Sequence, residues 1–162
     1  MNKTIVLVRI DSKYCDYLRQ YDNRVPYNYA GKVKRPYVGV LFEVNSNKYF
    51  APLSSPKPKH LKLKNKIDFL KIDNGNLGAV NFNNMVPVKD DNIIHLNLED
   101  EDRKDTKLLK EQIFWLNRNR EKLYNKSKQL YDRYKKGILS TNIINRCCNF
   151  PLLEEKCNEY NS

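Results

Sequence analysis

Short apolar runs separated by polar turn residues fill the first half of the chain. Six runs are rich in Val, Ile, Phe and Tyr, which favour strands; they cover residues 4–10, 37–44, 48–53, 67–72, 77–82 and 85–88. Asn45-Ser46-Asn47 separates two of these runs as a hairpin connection. The turn-length gaps leave little room for crossover helices, so the pattern predicts a small, curled antiparallel sheet or barrel.

Helical patterns occur at three places. Residues 11–25 predict a helix that Asp11 or Ser12 caps and that ends before Pro26. From Thr106 the spacing of apolar residues changes to steps of four, three and seven, which predicts one long helix ended by Gly137. Its apolar stripe consists of Leu109, Ile113, Leu116, Leu123, Leu130 and Tyr134. Residues 143–160 predict a short closing helix.

These patterns predict an α+β protein with a single domain over residues 1–162, a length that can bury one sizeable core. Residues 1–97 form its mainly β core and residues 106–162 its helical part. Between them, residues 98–105 are acidic and have no apolar periodicity, so we interpret them as a link.

The chain is strongly basic, and this indicates a polyanionic partner. Thirty Lys and Arg against nineteen Asp and Glu give a formal charge of +11, and such a surface gains free energy by releasing counterions from phosphates. Five lysines and one histidine, with no acid, lie between residues 57 and 66, and a second basic cluster lies between residues 32 and 35. The predicted long helix is also basic on its outer faces.

Several classes of protein do not fit the sequence. The apolar stretch near the start is only about five residues long, too short for a signal or membrane segment. The four cysteines contain no CxxC pair, and the two histidines have no ligand-like spacing to them. We therefore expect a cytoplasmic protein with reduced thiols, no metal or other cofactor and no membrane partner.

The stretch YFAPLSSPKPKH, residues 49–60, ends a predicted strand with two hydroxyls and a lysine between prolines. Ser54 and Ser55 can donate hydrogen bonds to a phosphate, and the neighbouring prolines restrict the backbone that carries Lys57. An ammonium group near a dianionic transition state stabilises it more than it stabilises the ground state. Taken alone, the stretch is also compatible with a plain polar turn.

The sequence resembles the ToxN/AbiQ family of endoribonuclease toxins from type III toxin-antitoxin systems. The resemblance covers nearly the whole chain and rests on YLRQYDNRVP, YVGVLFEVNSNKYFAPLSSPK, LGAVNFNNMVPV, LLKEQIFWLNRN and CNFPLLEEKC. APLSSPK is the most specific of these segments. The resemblance implies a MazF/Kid-like, SH3-like barrel elaborated with a long helix and shorter helices.

The same resemblance implies an activity and a partner. The implied activity is metal-independent cleavage of adenine-rich cellular or phage RNA, which leaves a 2′,3′-cyclic phosphate and a 5′-hydroxyl. The implied partner is a repeated, pseudoknot-like antitoxin RNA that silences the toxin in a closed protein-RNA assembly, with no obligate protein partner.

The family's active site implies catalytic roles for Ser54, Ser55 and Lys57, joined by a tyrosine and a cation from the loop before residue 37. In YNYAGKVKRP these are Tyr29 and Lys34, with Lys32 and Arg35 as alternatives for the cation. His60 is a further candidate base because histidine titrates near neutrality, although the family pattern does not require it. We predict RNA contacts from the remaining basic residues of both clusters and from two on the long helix, namely Lys32, Arg35, Lys59, His60, Lys62, Lys64, Lys66, Lys110 and Arg118.

Two other functions remain compatible with the residues. One is a non-enzymatic RNA-binding module that uses the same basic groove to hold a structured RNA. The other is a structural DNA-binding protein built on the basic helix, although no recognisable nucleic-acid-binding motif supports it.

Overall fold

The computed structural model describes residues 4–27, 35–100 and 103–160. Within them, eight strands and six α-helices follow one another in chain order. They are β1 (Val6–Ile10), α1 (Ser12–Arg19), β2 (Tyr37–Gly39), β3 (Glu43–Val44), β4 (Asn47–Ser54), α2 (Pro58–Lys62), β5 (Phe69–Lys71), β6 (Ala79–Asn81), β7 (Val86–Val88), β8 (Ile93–His95), α3 (Arg103–Arg118), α4 (Arg120–Lys136), α5 (Thr141–Arg146) and α6 (Phe150–Glu159). The α+β class predicted from the sequence is confirmed.

Strand β4 is the centre of an antiparallel sheet with the order β5-β6-β4-β2-β1-β8. Its first half pairs with β3 and β7, and its second half pairs with β2 and β6. The strand is buried along most of its length, which fits its apolar composition. Its last residue, Ser54, is still paired with Ala79 of β6 where the chain leaves the sheet.

The predicted hairpin is present between β3 and β4. Val44 pairs with Asn47, and the two connecting residues, Asn45 and Ser46, have φ angles of 49° and 71°. Positive φ at both positions matches the twist of the flanking strands. The apolar run of residues 37–44, predicted as one strand, divides into β2 and β3.

The sheet is antiparallel as predicted, but it is not closed into a barrel. Its two ends, β5 and β8, pair with β6 and β1 and not with each other. β8 is absent from the six strands predicted from the sequence. Helices, and not further strands, cover the apolar side of the sheet. Leu116, Leu123 and Leu153 of these helices are buried in the same core as the strand residues.

The prediction of one long helix is wrong in one respect, because the helix breaks at Asn119. That residue has φ −119° and ψ 22°, and its side chain donates to the carbonyl of Trp115 at 2.8 Å. Such side-chain bonds compete with the regular helical pattern. The apolar stripe itself is confirmed as buried or half-buried, and Gly137 ends α4 with φ 70° as predicted.

The remaining helices fix the ends of the chain to the sheet. Helix α1 is capped by Asp11, whose carboxylate accepts from the amide of Tyr14. The predicted closing helix is two helices, α5 and α6, capped by Ser140 and Asn149. α6 is joined to β4 and α4 through Glu154, whose carboxylate accepts from the hydroxyls of Tyr49 and Tyr131, each at 2.6 Å.

Candidate active site and basic surface

The hydroxyl of Ser54 is oriented by a neighbouring strand. Ser54 pairs with Ala79 of β6, and Asn81 at the end of β6 donates from its amide Nδ2 to Ser54 Oγ at 2.7 Å. Because Oγ accepts this bond, the hydroxyl hydrogen of Ser54 is directed toward another acceptor. Ser55, the next residue, is exposed. The turn therefore presents one oriented and one solvent-facing hydroxyl.

The loop between β5 and β6 packs closely against the backbone of this turn. Gly78 has φ +99°, and a Cβ at that position would lie 2.0 Å from the carbonyl oxygen of Ser54. Gly75, with φ +95°, packs in the same way against the carbonyl of His60, where a Cβ would lie at 2.6 Å. Only glycine permits this close approach at a positive φ. Both glycines thus fix the backbone on either side of Lys57.

His60 is buried behind the turn and binds its backbone. Its side chain is 1% exposed, and its Nδ1 accepts a hydrogen bond from the backbone amide of Lys57 at 3.2 Å. This places the proton of the neutral ring on Nε2. Burial, followed by the charges of Lys59 and Lys57, lowers the pKa of His60. The structure does not support the predicted RNA contact or a catalytic base, because the ring is shielded from solvent; His60 positions the segment that carries Lys57.

The lysines of the segment between residues 57 and 66 are exposed, in agreement with the predicted basic surface. Its far end is tied to the helical part, since Lys126 of α4 donates from Nζ to the carbonyl of Lys66 at 2.9 Å. Burial and the nearby Lys122 lower the pKa of Lys126, while Asp68 opposes this shift. The helical pattern alone predicts a free surface lysine at this position. In the structure, Lys126 is instead bound to the backbone at Lys66.

A second tie lies two residues further along the chain. Asp68, whose side chain is 2% exposed, accepts two hydrogen bonds from Arg146 of α5, at 3.0 and 3.1 Å. A paired guanidinium of this kind is a geometrically specific partner for a buried carboxylate. α4 and α5 thus hold the basic segment in place against the sheet.

Residues 35–37, which follow the segment of the other predicted catalytic residues, enter the sheet beside the end of β4. The amide of Leu53 donates to the carbonyl of Pro36 at 3.0 Å, and Tyr37 pairs with Pro52. Arg35 directly precedes Pro36 and so lies near this end of β4. Arg35 is half-buried, and its Nε is buried without a hydrogen-bond partner among the described residues. Tyr29, Lys32 and Lys34 lie outside the described residues.

The two predicted RNA-binding residues of α3 lie on another surface. Gln112 of α3 donates to the carbonyl of Leu77 at 3.0 Å, next to Gly78. Lys110 and Arg118 are exposed, and at 100° per residue both project from the side of the helix opposite Gln112. The structure therefore does not bring them together with the turn at Ser54.

No site for a metal ion is found in the described parts of the chain. They contain no group of three or more His, Cys, Asp or Glu side chains arranged to hold one. The four cysteines are buried as free thiols, and burial raises the pKa of Cys147 to about 12. None of the described helices is long and apolar enough to cross a membrane.

Three contacts of this site are not apparent from the sequence. Asn81 reaches Ser54, Lys126 reaches Lys66 and Arg146 reaches Asp68 across 27, 60 and 78 residues. Asn81 stands inside a predicted strand and the other two inside helical patterns, so their residue types alone do not indicate the role.

A family model of the toxin ToxN of type III toxin-antitoxin systems matches residues 6–158. The chain is 31% identical to the endoribonuclease ToxN of Bacillus thuringiensis subsp. kurstaki, over 93% of this chain and 81% of the relative. It is also 31% identical to the ToxN of Pectobacterium atrosepticum, over 93% and 91%, and to the endoribonuclease AbiQ of Lactococcus lactis subsp. lactis, over 99% and 91%.

Solved structures agree with this match over the full fold. A toxin whose selective inhibition by a non-coding RNA pseudoknot has been described aligns with a TM-score of 0.84 and 32% identity, over 98% of both chains. AbiQ, a lactococcal anti-phage endoribonuclease, aligns with a TM-score of 0.84 and 30% identity, also over 98% of both. The family match and the shared fold define a toxin of type III toxin-antitoxin systems. The chain belongs to the ToxN family.

Proposed function

We propose that this protein is an endoribonuclease toxin that cleaves RNA without a metal ion. The observation that supports the proposal is the turn from Ser54 to Lys57. Two hydroxyls and an ammonium group follow one another at the end of the central strand, where Asn81 holds the Ser54 hydroxyl and His60 holds the backbone amide of Lys57. The charge of +11 on the chain provides attraction for a polyanionic substrate.

The proposed chemistry is an attack by a ribose 2′-oxygen on the adjacent phosphorus. The 2′-hydroxyl loses its proton to a base, a 2′,3′-cyclic phosphate forms, and the 5′-oxygen departs and is protonated. Ser54 and Ser55 donate to the non-bridging oxygens, and Lys57 offsets the charge that develops on the five-coordinate phosphorus. We assign Tyr29 and Lys34, with Lys32 or Arg35 as alternatives, to the same site from the adjoining loop.

We place the substrate among adenine-rich cellular or phage RNAs in the cytoplasm. The inhibitor is a repeated, pseudoknot-like antitoxin RNA in a closed protein-RNA assembly that needs no second protein. The exposed basic segment between residues 57 and 66 supports this proposal, because it offers phosphate contacts next to the cleaving turn. We also propose that the fold is related to that of the SH3-like toxins of the MazF and Kid type.

The test is cleavage of a labelled adenine-rich RNA by the purified full chain in excess EDTA. We expect cleavage to persist, with product 3′ ends that resist ligation until the cyclic phosphate is opened. Loss of activity on chelation, restored by one divalent ion, contradicts the proposed chemistry. Tight RNA binding without any cleavage indicates the non-enzymatic RNA-binding module instead.

A further inference from the structure

Helix α3 exposes a single aromatic ring on its outer face. Phe114 is 64% exposed, whereas the apolar stripe of the same helix, including Leu109 and Leu116, is buried. A Phe side chain gains roughly 1.5 to 3 kcal/mol when fully buried relative to remaining in water. The ring at this position is therefore accessible to an external partner.

Two cations flank the ring along one stripe of the helix, and one acid, Glu111, lies three residues before it. Lys110 and Arg118 lie four residues before and after Phe114, which places them one turn away along the same stripe of the helix. Both are exposed, and the guanidinium carbon of Arg118 lies 5.5 Å from the centre of the ring. An aromatic face between two cations offers a stacking surface for a base together with contacts for its phosphates.

A shallow polar groove continues from this ring at the break between α3 and α4. It is lined by Asn117, Arg118, Asn119, Arg120, Glu121 and Lys122. The break turns the chain at Asn119, so cations from both helices meet there. The groove contains three cations against one acid.

The charge and shape of this surface favour RNA over a protein partner. The apolar part is one ring without exposed aliphatic neighbours on α3, too small an area for a stable protein interface. A second copy of this chain would bring another charge of +11 and would be repelled. An unpaired base with its phosphates matches both the ring and the cations.

We infer that Phe114, Lys110 and Arg118 form a second RNA-binding surface, on which an unpaired base stacks against Phe114 while its phosphates contact Arg118 and Arg120. This inference rests on the proposed function, because it assumes that RNA is the partner. The surface is separate from the cleaving turn, since α3 approaches the turn with Gln112 on its opposite side. A base bound here belongs to a different nucleotide from the one that is cut.

The test uses the full chain and a single-stranded oligoadenylate with 2′-O-methyl sugars, which cannot be cleaved, carrying one fluorescent 2-aminopurine at successive positions. Stacking on Phe114 quenches this base in the wild-type complex. We expect Phe114→Ala to weaken binding roughly tenfold, the effect of losing one stacked base, and to abolish the quenching at one position. Phe114→Trp should retain both.

Two further variants separate stacking from other effects. Phe114→Leu keeps an apolar side chain without an aromatic face and should behave like Phe114→Ala. Ile138, also 64% exposed, lies at the end of α4, so Ile138→Ala is the matched control and should bind like the wild type. The inference is overturned if Phe114→Ala or Phe114→Leu retains the wild-type affinity and quenching. It is also overturned if light scattering shows that the wild type is a dimer and that Phe114→Ala dissociates it.

Cleavage by the wild-type chain, measured on ordinary RNA, reports separately on the proposed function. If the wild type fails to cleave but shows quenching that depends on Phe114, the catalytic proposal fails and this surface stands. If the wild type cleaves and Phe114→Ala binds as the wild type does, only this inference fails.

Discussion

The side-chain amide of Asn81 donates to the hydroxyl of Ser54 at 2.7 Å, across two paired strands. Ser54 is thereby held as a hydrogen-bond donor toward whatever lies in front of the turn. The bond links a residue that the family resemblance implicates in catalysis to one that the sequence does not single out.

We expect Asn81→Ala to reduce cleavage roughly tenfold while RNA affinity changes little, because one orienting hydrogen bond is lost and no charge is removed. Single-turnover rates and binding titrations measure the two effects separately. Asn76→Ala, an exposed position in the adjoining loop, is the control and should retain the wild-type rate. Equal losses in affinity and rate would assign Asn81 to RNA binding instead of positioning.

Substitution of the turn itself should affect chemistry more than binding. Ser55→Ala and Lys57→Ala should each lower the cleavage rate about a hundredfold or more, the usual effect of losing one donor to a transition-state oxyanion. RNA affinity should fall by only about 1 to 2 kcal/mol, the scale of one hydrogen bond or phosphate contact. Both variants should still bind antitoxin RNA and no longer arrest growth.

Lys136→Ala is the control for these variants because Lys136 is exposed at the end of α4. It should retain cleavage and toxicity. If Lys136→Ala abolishes toxicity while the turn variants remain toxic, the active site lies in the helical part of the chain.

His60 should make the stability of the protein depend on pH. Its pKa in the folded state is lowered by burial and then by Lys59 and Lys57, whereas in the unfolded chain it is about 6.5. Between these two values the unfolded state binds more protons, so the free energy of unfolding rises with pH. The contribution is fully present above the unfolded pKa, is lost as pH falls below it and levels off below the folded pKa.

Chemical denaturation of the wild type and of His60→Gln at about pH 8 and about pH 5 checks this contribution. Glutamine retains an acceptor for the Lys57 amide but does not titrate in this range. We expect the wild type to lose more stability than His60→Gln on acidification. Identical losses in both proteins would show that His60 is not the titrating group.

Lys126→Ala should weaken RNA binding although its ammonium group is bound to the backbone of the protein. The substitution removes the tie between α4 and the carbonyl of Lys66 and so frees the end of the basic segment. We expect a loss of roughly fivefold to tenfold in affinity, as for one hydrogen bond of a charged donor. Lys126→Arg, which can still donate a hydrogen bond, should recover much of the lost affinity. If the loss came only from removing a positive charge, Lys136→Ala would lose affinity as well.

If the basic segment contacts several phosphates together, as proposed, binding of single-stranded RNA should depend steeply on salt. The logarithm of the binding constant should fall by roughly 0.7 for each neutralised phosphate per unit of log salt. Lys62→Ala and Lys64→Ala, at exposed positions of the segment, should each reduce this slope, and Lys136→Ala should leave it unchanged. A flat dependence in the wild type would argue against a basic groove.

Local patterns predicted most of the elements and failed where side chains intervene. The apolar stripe of the helical part indicated its buried face correctly, because a period near 3.6 is a local property. It could not reveal the break at Asn119, which follows from side-chain bonds to Trp115 and, at Asn117, to Ile5. Likewise β8 is only three residues long and is defined by its pairing with β1.

The sequence by itself determined the α+β class, the basic character, the hairpin at Asn45 and Ser46 and the turn with Ser54, Ser55 and Lys57. These depend on composition, short-range periodicity and residues that are neighbours in the chain. The tertiary structure decided that the sheet stays open, that His60 is buried behind Lys57 and that Asn81, Lys126 and Arg146 support the turn and its basic segment. Such contacts join residues far apart in sequence, and only the folded packing of strands and helices brings their atoms within hydrogen-bond distance.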